Sequence, residues 1–518
     1  MKIFSKRFFK EHILAFFASI FVGLVIVGPN LVLIERLGNN YHGIYLQSEA
    51  ELHYLATMKE FAEGKGLGNP YIYEFKANVP SATFTFGEWL LALPTMLLTV
   101  SVSEINLLYK FLLPSITAFL AYFLFFRLTM DKRWSIAGML AILLGNVLLS
   151  LPDIKHIFYL ETVYQDMAIY ARPINPQFSS ILFFSYLHIL FSAIERRSFG
   201  WFAALALLFG ASFYVYFFSC TFLLALNAVF LAGFLLLKDW DIVKKMSCAI
   251  GSGLVLALPV FLHYFTLAHH PYYQLWRENS QIVFSRTPVI SVAGIATALL
   301  FLVFLYQRKI TSRIYFLGGL LLTTFVVLNQ QILTGILVQE GHYHWYYNTP
   351  IYFLALFVIG KEFSSGLNRK IVTAALVFVS AVASFVGIFI QYSSYRYQAP
   401  QRTAEQRYAA VFDWLNTNTK KDSVVLANEK LSTLIPVYTS NNVVWAPYAP
   451  YHLVSPERTT FTTDFLLSSK DFSKDIARYR VDYVVWDKQN NPEWDMSARP
   501  SLELLRNENN LFIYKINK

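Results

Sequence analysis

The feature that most constrains this sequence is a series of long apolar segments separated by short basic loops. Roughly 17 to 25 apolar residues are needed for an α-helix to cross ~30 Å of hydrocarbon. One segment, residues 201–237, is long enough for two crossings folded back near residues 216–219. About eleven spans are thus predicted, at residues 12–34, 105–126, 134–151, 178–194, 201–237 (two), 247–266, 289–306, 314–328, 351–360 and 371–390. The sequence predicts a mainly α-helical, polytopic transmembrane bundle.

The composition supports a lipid environment and excludes several other classes of protein. Hydrophobic residues make up 55% of the chain and charged residues only 15%, which suits a lipid solvent rather than one water-surrounded core. The net charge of +10 comes mostly from the basic loops, so it does not indicate nucleic-acid binding. Cys220 and Cys248 both lie in predicted spans, and we therefore expect neither a disulfide framework nor a thiolate metal site.

Basic residues also predict the orientation of the chain in the membrane. Short loops rich in lysine and arginine stay in the cytoplasm. Such loops occur at the N-terminus, within residues 2–10, and at residues 127–133, 196–197, 238–245, 308–313 and 361–370. With eleven crossings, the N-terminus is cytoplasmic and the C-terminal tail is extracytoplasmic, which makes this a multi-pass protein of the cell membrane.

One apolar segment, residues 84–100, does not fit this pattern as a span. Counting it as a crossing would move every later basic loop to the outer face of the membrane. It also contains Glu88 and Pro94. We therefore expect an interfacial or re-entrant helix there.

Two domains follow from this organisation. Residues 1–395 form the transmembrane domain, whose outer loops are residues 38–100, 152–176, 267–288 and 329–350. Residues 396–518 form an extracytoplasmic α/β domain, in which strands at 423–427, 443–447 and 482–487 and near the C-terminus alternate with helices at 403–418, 457–468 and 472–480. This alternation predicts a mainly parallel sheet. The domain has no glycine-rich phosphate loop, so we expect it to help to select an acceptor or to act as a structural cap rather than to bind a nucleotide.

The first outer loop contains the best candidates for a catalytic base. Residues 48–63 predict a helix closed by Gly64, in which Ser48 and Glu51 form a capping box. Glu51 falls on the apolar stripe of this helix, and desolvation there makes a carboxylate a stronger proton acceptor. Alternatively, Glu51 only caps the helix. Glu49 and His53 lie one turn apart on another face, either as groups of the site or as an ordinary solvated pair.

The second outer loop contains a candidate for binding a lipid phosphate. Arg172 lies just before a predicted span, where a planar guanidinium suits a phosphate or pyrophosphate. The alternative is that Arg172 extends toward the lipid headgroups. Glu161 and Asp166, in the same loop, are candidate substrate-binding carboxylates.

The fourth outer loop contains the pattern Glu-x-His-x-His, formed by Glu340, His342 and His344. In an extended segment all three side chains would share one face and could hold a divalent ion, whereas on a helix they would not face each other. Hydrogen bonding to a phosphate or a sugar is the other interpretation. We predict no dedicated metal site, and the alternative is a divalent cation.

The layout resembles the GT-C superfamily of membrane glycosyltransferases, which use polyprenyl-phosphate sugars. Essentially the whole chain takes part in the resemblance. Where such families often show an Asp-Glu pair, this chain reads Ala50-Glu51. The matching stretches are SEAELHYLATMKEFAEG, GNPYIYEFK, YARPINPQFSS, NQQILTG, VQEGHYHW, FDWLNTNTKKDSVVLA and RYRVDYVVWD.

This resemblance implies an inverting transfer of a hexose or pentose from a polyprenyl-phosphate donor, at the outer face of the membrane, to a glycan, lipid or protein acceptor. Glu51 or Glu49 would accept the proton of the acceptor hydroxyl, and Arg172 with His342 and His344 would bind the donor phosphate. The partners implied are the lipid-linked sugar and membrane lipid, with no organic cofactor. The alternatives are a non-catalytic relative and a transporter or flippase for a lipid-linked glycan.

Overall fold

The architecture is predominantly helical, with one small sheet domain in the C-terminal part of the chain. It is seen in a computed structural model. The residues that the structure describes are 6–66, 68–75, 84–98, 100–150, 153–155, 157, 164–165, 167–306, 308–449, 453, 455, 457–467, 472–494, 496 and 501–517.

The helices follow the apolar segments of the sequence. The described α-helices are α1 (Lys6–Leu37), α2 (Glu49–Ala62), α3 (Phe86–Leu97), α4 (Val102–Thr129), α5 (Lys132–Leu143), α6 (Ser179–Arg196), α7 (Phe199–Ser212), α8 (Phe217–Leu236), α9 (Trp240–Leu256), α10 (Leu258–Ala268), α11 (Tyr273–Asn279), α12 (Val292–Tyr306), α13 (Ser312–Asn329), α14 (Gln331–Thr334), α15 (Glu340–Tyr343), α16 (Thr349–Phe363), α17 (Arg369–Glu405), α18 (Ala409–Asn418), α19 (Glu429–Tyr438), α20 (Glu457–Leu467) and α21 (Ser473–Arg478). A helix therefore occurs within every predicted span, and the long segment 201–237 is divided into α7 and α8, as expected.

The predicted number of spans is not confirmed. Among the described residues, six helices are long and apolar enough to cross a membrane, and a seventh span is obtained if α9 and α10, which are bent by 50° relative to each other, count as one. Several predicted spans contain only short helices, such as α7 and α12. Sequence hydropathy measures the length of an apolar segment, whereas turns and bends inside the segment decide how far one helix extends.

Within the apolar segment that begins at residue 84, the described helix is too short to span a membrane. Helix α3 (Phe86–Leu97) has 12 residues, or about 18 Å at 1.5 Å per residue. Helix α3 packs against α2 of the first outer loop. The prediction that this segment is not an ordinary crossing agrees with its length.

By its internal contacts the chain divides into two compact units. The first contains residues 1–32, 107–261 and 282–398, and the second contains residues 33–106, 262–281 and 399–518. The first unit is the larger helical body, with an apolar core in which α7 packs on α9, and α8 and α16 pack on α13. It also contains a short antiparallel pair of strands, β1 (Val283–Phe284) and β2 (Ile336–Leu337).

The second unit contains a five-stranded sheet whose order is β4-β3-β5-β7-β6. The strands are β3 (Val424–Ala427), β4 (Asn442–Val443), β5 (Val481–Asp487), β6 (Leu502–Glu508) and β7 (Leu511–Ile516). Strand β3 is parallel to both β4 and β5, but β7 is antiparallel to β5 and to β6. The sheet is therefore mixed rather than mainly parallel. Strand β6, which the sequence analysis missed, pairs with β7 through a tight turn at Asn509 and Asn510, both at positive φ.

The first outer loop belongs to the same unit as the tail and is tied to it by hydrogen bonds. The Arg402 guanidinium donates to the carbonyl of Gln47 at 2.8 Å, and the Gln406 amide donates to the carbonyl of Ile44 at 2.6 Å. The backbone N–H of Val443 donates to the carbonyl of Tyr71 at 2.9 Å. The first two bonds hold the segment before α2, and the third holds the segment after it.

Candidate functional site

The predicted helix of the first outer loop forms, and Glu51 lies buried in its first turn. The Ser48 hydroxyl caps α2 by accepting from the backbone N–H of Glu51, and Gly64 ends the helix with φ of +76°. The Glu51 carboxylate is 2% exposed. It accepts a 2.7 Å hydrogen bond from the side-chain amide of Asn106, at the start of α4. Glu51 is therefore more than a helix cap, because its carboxylate contributes to a buried polar contact between two segments.

Tyr45 completes this polar contact. The same Asn106 amide nitrogen donates to the Tyr45 hydroxyl at 2.7 Å. Burial, and then the nearby Glu51 carboxylate, raise the pKa of Tyr45 well above its usual value. The phenol therefore stays protonated, so the Glu51 carboxylate has two neutral neighbours, Tyr45 and Asn106.

Glu49 and His53 do not form the pair that their spacing allows. Glu49 is exposed and makes no hydrogen bond or ion pair with any residue that the structure describes. His53 is stacked with Tyr71 and Tyr448, at ring-centroid distances of 5.9 and 6.0 Å. Burial lowers the pKa of His53 to about 4, so its imidazole is neutral near pH 7. His53 can donate or accept a hydrogen bond there, but it does not carry a positive charge.

A carboxyl group that the sequence analysis did not select lies on α3. Glu88 is 5% exposed, and its Oε2 has no hydrogen-bond partner among the described residues. Burial raises the pKa of Glu88 to about 8, so the carboxyl group is mostly protonated at neutral pH. A buried acid on a helix packed against α2 is therefore a proton-carrying group in the same unit as Glu51.

Arg172 occupies a polar position in the first unit. Its side chain is half-buried and donates a 2.6 Å hydrogen bond to the Tyr346 hydroxyl. The preceding carbonyl, that of Ala171, accepts from the Nζ of the fully buried Lys110 on α4, at 3.2 Å. Lys110 therefore holds the backbone just before Arg172, and Tyr346 holds the Arg172 guanidinium.

His342 lies beside Arg172. Burial and the positive charge of Arg172 lower the pKa of His342 to about 4. Its ring stacks on Phe218 at 4.4 Å and contacts Tyr346 at 5.4 Å. The buried Nδ1 of His342 has no hydrogen-bond partner in the described part of the chain. A neutral histidine with an unused nitrogen, next to an arginine, is suited to hydrogen bonding rather than to supplying charge.

The other two residues of the Glu-x-His-x-His pattern are placed differently. Residues 340–348 are helical, with α15 followed by a wide turn at His344–Asn348, so the extended arrangement is wrong. Glu340 is exposed, whereas burial lowers the pKa of His344. Within the described residues, no group of three histidine, cysteine, aspartate or glutamate side chains could hold a metal ion. A helix turns successive side chains by about 100°, and this separates residues two positions apart.

The structure thus distributes the predicted site residues between two units. Glu49, Glu51 and His53 belong to the second unit, and Arg172, Glu340, His342 and His344 belong to the first. Glu161 and Asp166 lie outside the described residues.

Sequence reasoning missed Asn106, Lys110, Glu88 and Tyr346. For Asn106 and Lys110 a signal existed, because polar or charged residues that interrupt an apolar span are functional candidates in membrane proteins. Glu88 was visible as the acidic residue of an otherwise apolar segment. Nothing in the sequence distinguishes Tyr346 from the other tyrosines of the chain.

The chain matches known proteins in three-dimensional structure. No family model matches the sequence, and no curated protein matches it significantly. ArnT from Cupriavidus metallidurans bound to undecaprenyl phosphate superposes with a TM-score of 0.52 at 12% identity, covering 98% of both chains. The apo state of the same protein gives 0.47 at 11% identity, over 90% of this chain and 93% of that one.

An oligosaccharyltransferase from Archaeoglobus fulgidus, tethered to an acceptor peptide, gives a TM-score of 0.46 at 12% identity, over 93% of this chain and 70% of that one. Of these three structures, the ArnT complex alone exceeds a TM-score of 0.5, and at such low identity it establishes the fold alone. The match includes both the membrane helices and the C-terminal sheet domain, since it covers nearly the whole of each chain.

Proposed function

We propose that this chain, which has the GT-C fold, is a membrane glycosyltransferase that moves a sugar from a polyprenyl-phosphate donor to an acceptor hydroxyl, with inversion at the anomeric carbon. The observation that carries the proposal is the end-to-end fold match with a protein bound to undecaprenyl phosphate. A donor that is anchored in the membrane by its lipid needs no nucleotide-binding loop, and the sequence of the sheet domain contains no glycine-rich phosphate loop.

The donor phosphate is proposed to bind at Arg172. Its guanidinium is half-buried and already oriented by Tyr346, and the planar fork of an arginine matches phosphate oxygens. His342 supplies a hydrogen bond from its neutral ring, because its pKa of about 4 leaves it uncharged at working pH. His344, in the same loop, is also proposed to bind the donor phosphate, and Glu340 is proposed to bind the substrate. Glu161 and Asp166 of the second loop are further proposed substrate-binding residues.

Glu51 is proposed to be the general base. As the acceptor oxygen attacks the anomeric carbon, a new C–O bond forms and the bond from that carbon to the phosphate oxygen breaks. The acceptor proton passes to the Glu51 carboxylate, and the polyprenyl phosphate leaves with the electron pair of the broken bond. Asn106 keeps Glu51 oriented by its 2.7 Å hydrogen bond. Glu49, two residues earlier, is the reserve candidate for the base, and His53 is a proposed substrate contact.

The further properties proposed are a multi-pass location in the cell membrane, a cytoplasmic N-terminus and an extracytoplasmic C-terminal domain. The sugar is a hexose or pentose, and the acceptor is a glycan, a lipid or a protein. The residues of the chain need no organic cofactor for this chemistry, because a carboxylate and a guanidinium supply the base and the phosphate-binding charge.

The test is the transfer of radiolabelled sugar from synthetic polyprenyl-phosphate sugars to a membrane extract by the purified full-length protein. We expect the wild type to consume the donor and Glu51→Gln to retain a fraction of about 10⁻² to 10⁻⁴ of that rate. Glu503→Gln, an exposed change of the same kind on β6, is the matched control and should leave the rate unchanged. No consumption of any polyprenyl-phosphate sugar by the wild type would refute the proposal.

A further inference from the structure

The second unit contains a polar cleft of about 720 Å³, a size typical of sites that bind small molecules. The cleft lies where two neighbouring parallel strands end. Asn428 directly follows β3, and Gln489 and Asn490 follow β5. In α/β sheets, ligands bind outside the carboxyl ends of parallel strands. The position of the cleft is therefore that of a binding site rather than of an accidental groove.

One wall of the cleft is built on a buried carboxylate. Asp487, the last residue of β5, is 0% exposed. It accepts hydrogen bonds from Arg407, from the Tyr408 hydroxyl at 2.8 Å and from the Asn490 amide at 2.7 Å. Asn490 also donates to the Tyr408 hydroxyl at 3.1 Å. A buried charge with several partners fixes the orientation of these groups before any ligand arrives.

The charges in the cleft do not favour an anion. The two cations among its described lining residues are already paired, Arg407 with Asp487 and Lys430 with Glu405 at 3.0 Å. Two exposed carboxylates, those of Glu49 and Glu429, also line the cleft. A phosphate or another anionic group would be repelled by these carboxylates and would have to break an ion pair to find a cation.

The remaining polar groups are suited to neutral hydroxyl groups. Gln401, Gln489, Asn490 and Asn491 bring amides to the cleft, and each is held in place by a neighbouring side chain. Gln401 donates to Glu405 at 2.9 Å, Gln489 accepts from Arg407, and Asn490 donates to Asp487 and to Tyr408. These bonds use the nitrogens of Gln401 and Asn490 and the oxygen of Gln489, so the opposite atom of each amide can accept from or donate to a ligand. A sugar hydroxyl also donates and accepts, so it matches such a lining without any charge. The Asn428 amide donates to the Asn491 side-chain oxygen at 2.7 Å, and this bond orients the Asn491 amide.

We propose that this cleft binds an uncharged, hydroxyl-rich carbohydrate, and that this carbohydrate is part of the acceptor. The second half of the proposal rests on the proposed function. Glu49, in the first turn of α2, lies in the wall of the cleft, two residues before Glu51. Glu49 thus connects the cleft to the first turn of the helix that contains the proposed base.

Ala404→Trp tests the cleft by filling it. Ala404 is an exposed lining residue near the end of α17, and it does not contribute a side chain to the Asp487 network. The matched control is Ala477→Trp, the same change at an exposed alanine on α21, outside the lining. The full-length protein in nanodiscs is applied to an array of neutral oligosaccharides and of their phosphorylated counterparts. Binding is thus measured without any transfer reaction.

We expect the wild type and Ala477→Trp to bind neutral oligosaccharides equally, and Ala404→Trp to bind them at least tenfold more weakly. Gln401→Ala, which removes one exposed amide, should weaken binding severalfold. Three results would overturn the proposal: no binding of any neutral oligosaccharide, a preference for the phosphorylated ones, or unchanged binding by Ala404→Trp. Failure of donor consumption would refute the proposed function but would leave this binding result standing, so the two failures are distinguishable.

Discussion

The side-chain amide of Asn106 lies 2.7 Å from the Glu51 carboxylate and the same distance from the Tyr45 hydroxyl. One amide nitrogen thus uses its two hydrogens on a carboxylate from α2 and on a phenol from the preceding loop. Because both acceptors are buried, the orientation of Glu51 depends on a residue that is distant in sequence.

The first prediction concerns this contact. Asn106→Ala leaves two buried acceptors without their donor, and we expect a loss of stability of about 1–3 kcal/mol together with slower transfer. Asn106→Asp instead places a second carboxyl group beside Glu51. Because two adjacent carboxylates repel each other, one of them stays protonated to a higher pH. The acidic limb of the pH–rate profile should therefore move to higher pH. The measurement is kcat/KM against pH for both variants. An unmoved profile in Asn106→Asp would show that Glu51 is not the base.

The second prediction concerns the donor phosphate. Arg172→Lys keeps the positive charge but loses the planar fork and its bond to Tyr346, so we expect weaker use of the donor and unchanged acceptor affinity. The effect on the KM for the donor should be on the order of tenfold, the equivalent of about 1.4 kcal/mol. Tyr346→Phe, which removes only the oriented hydroxyl, should give a smaller effect in the same direction. An unchanged donor KM in Arg172→Lys would place the phosphate elsewhere.

The third prediction concerns metal dependence. We expect a chelator to have little effect on transfer, because the guanidinium of Arg172 supplies the positive charge that a monophosphate needs. If a divalent ion were required, chelation would abolish transfer and His342→Ala would reproduce that loss. Measuring transfer with and without chelator, in the wild type and in His342→Ala, separates the two mechanisms.

The fourth prediction concerns Glu88. Its pKa of about 8 in the fold lies above the ordinary value of 4.5, so the folded state binds more protons than the unfolded state between these two pH values. Stability contributed at this position therefore falls as the pH rises from about 4.5 to 8. Glu88→Gln removes that slope and should stabilise the protein at pH 7 by on the order of 3 kcal/mol. Thermal unfolding at pH 5 and at pH 7 tests this, since the gain should be much smaller at pH 5.

The fifth prediction concerns the orientation of the tail. Alkaline phosphatase fused after Lys518 should be active, because the basic loops, with eleven crossings, predict a tail outside the cytoplasm. A reporter that fluoresces only in the cytoplasm should remain dark at the same position. The opposite pair of results would contradict the orientation of every loop.

What the sequence determined by itself is the set of features that depend on neighbours along the chain. The lengths of the apolar segments predicted a helix in each expected span, and the structure has one there. The capping residues Ser48 and Gly64 predicted the bounds of α2 almost to the residue. The apolar strands β3, β5 and β7 were recognisable for the same reason, since period and composition are local properties.

The tertiary structure alone decided what depends on contacts between distant segments. It placed Asn106 on Glu51, 55 positions apart, and Tyr346 on Arg172, 174 positions apart. The antiparallel pairing of β7 with β5 made the sheet mixed. Burial in the folded protein raised the pKa of Glu88. Such contacts are selected by packing and by the pairing of buried polar groups, and neither of these is encoded in the local periodicity of a single segment.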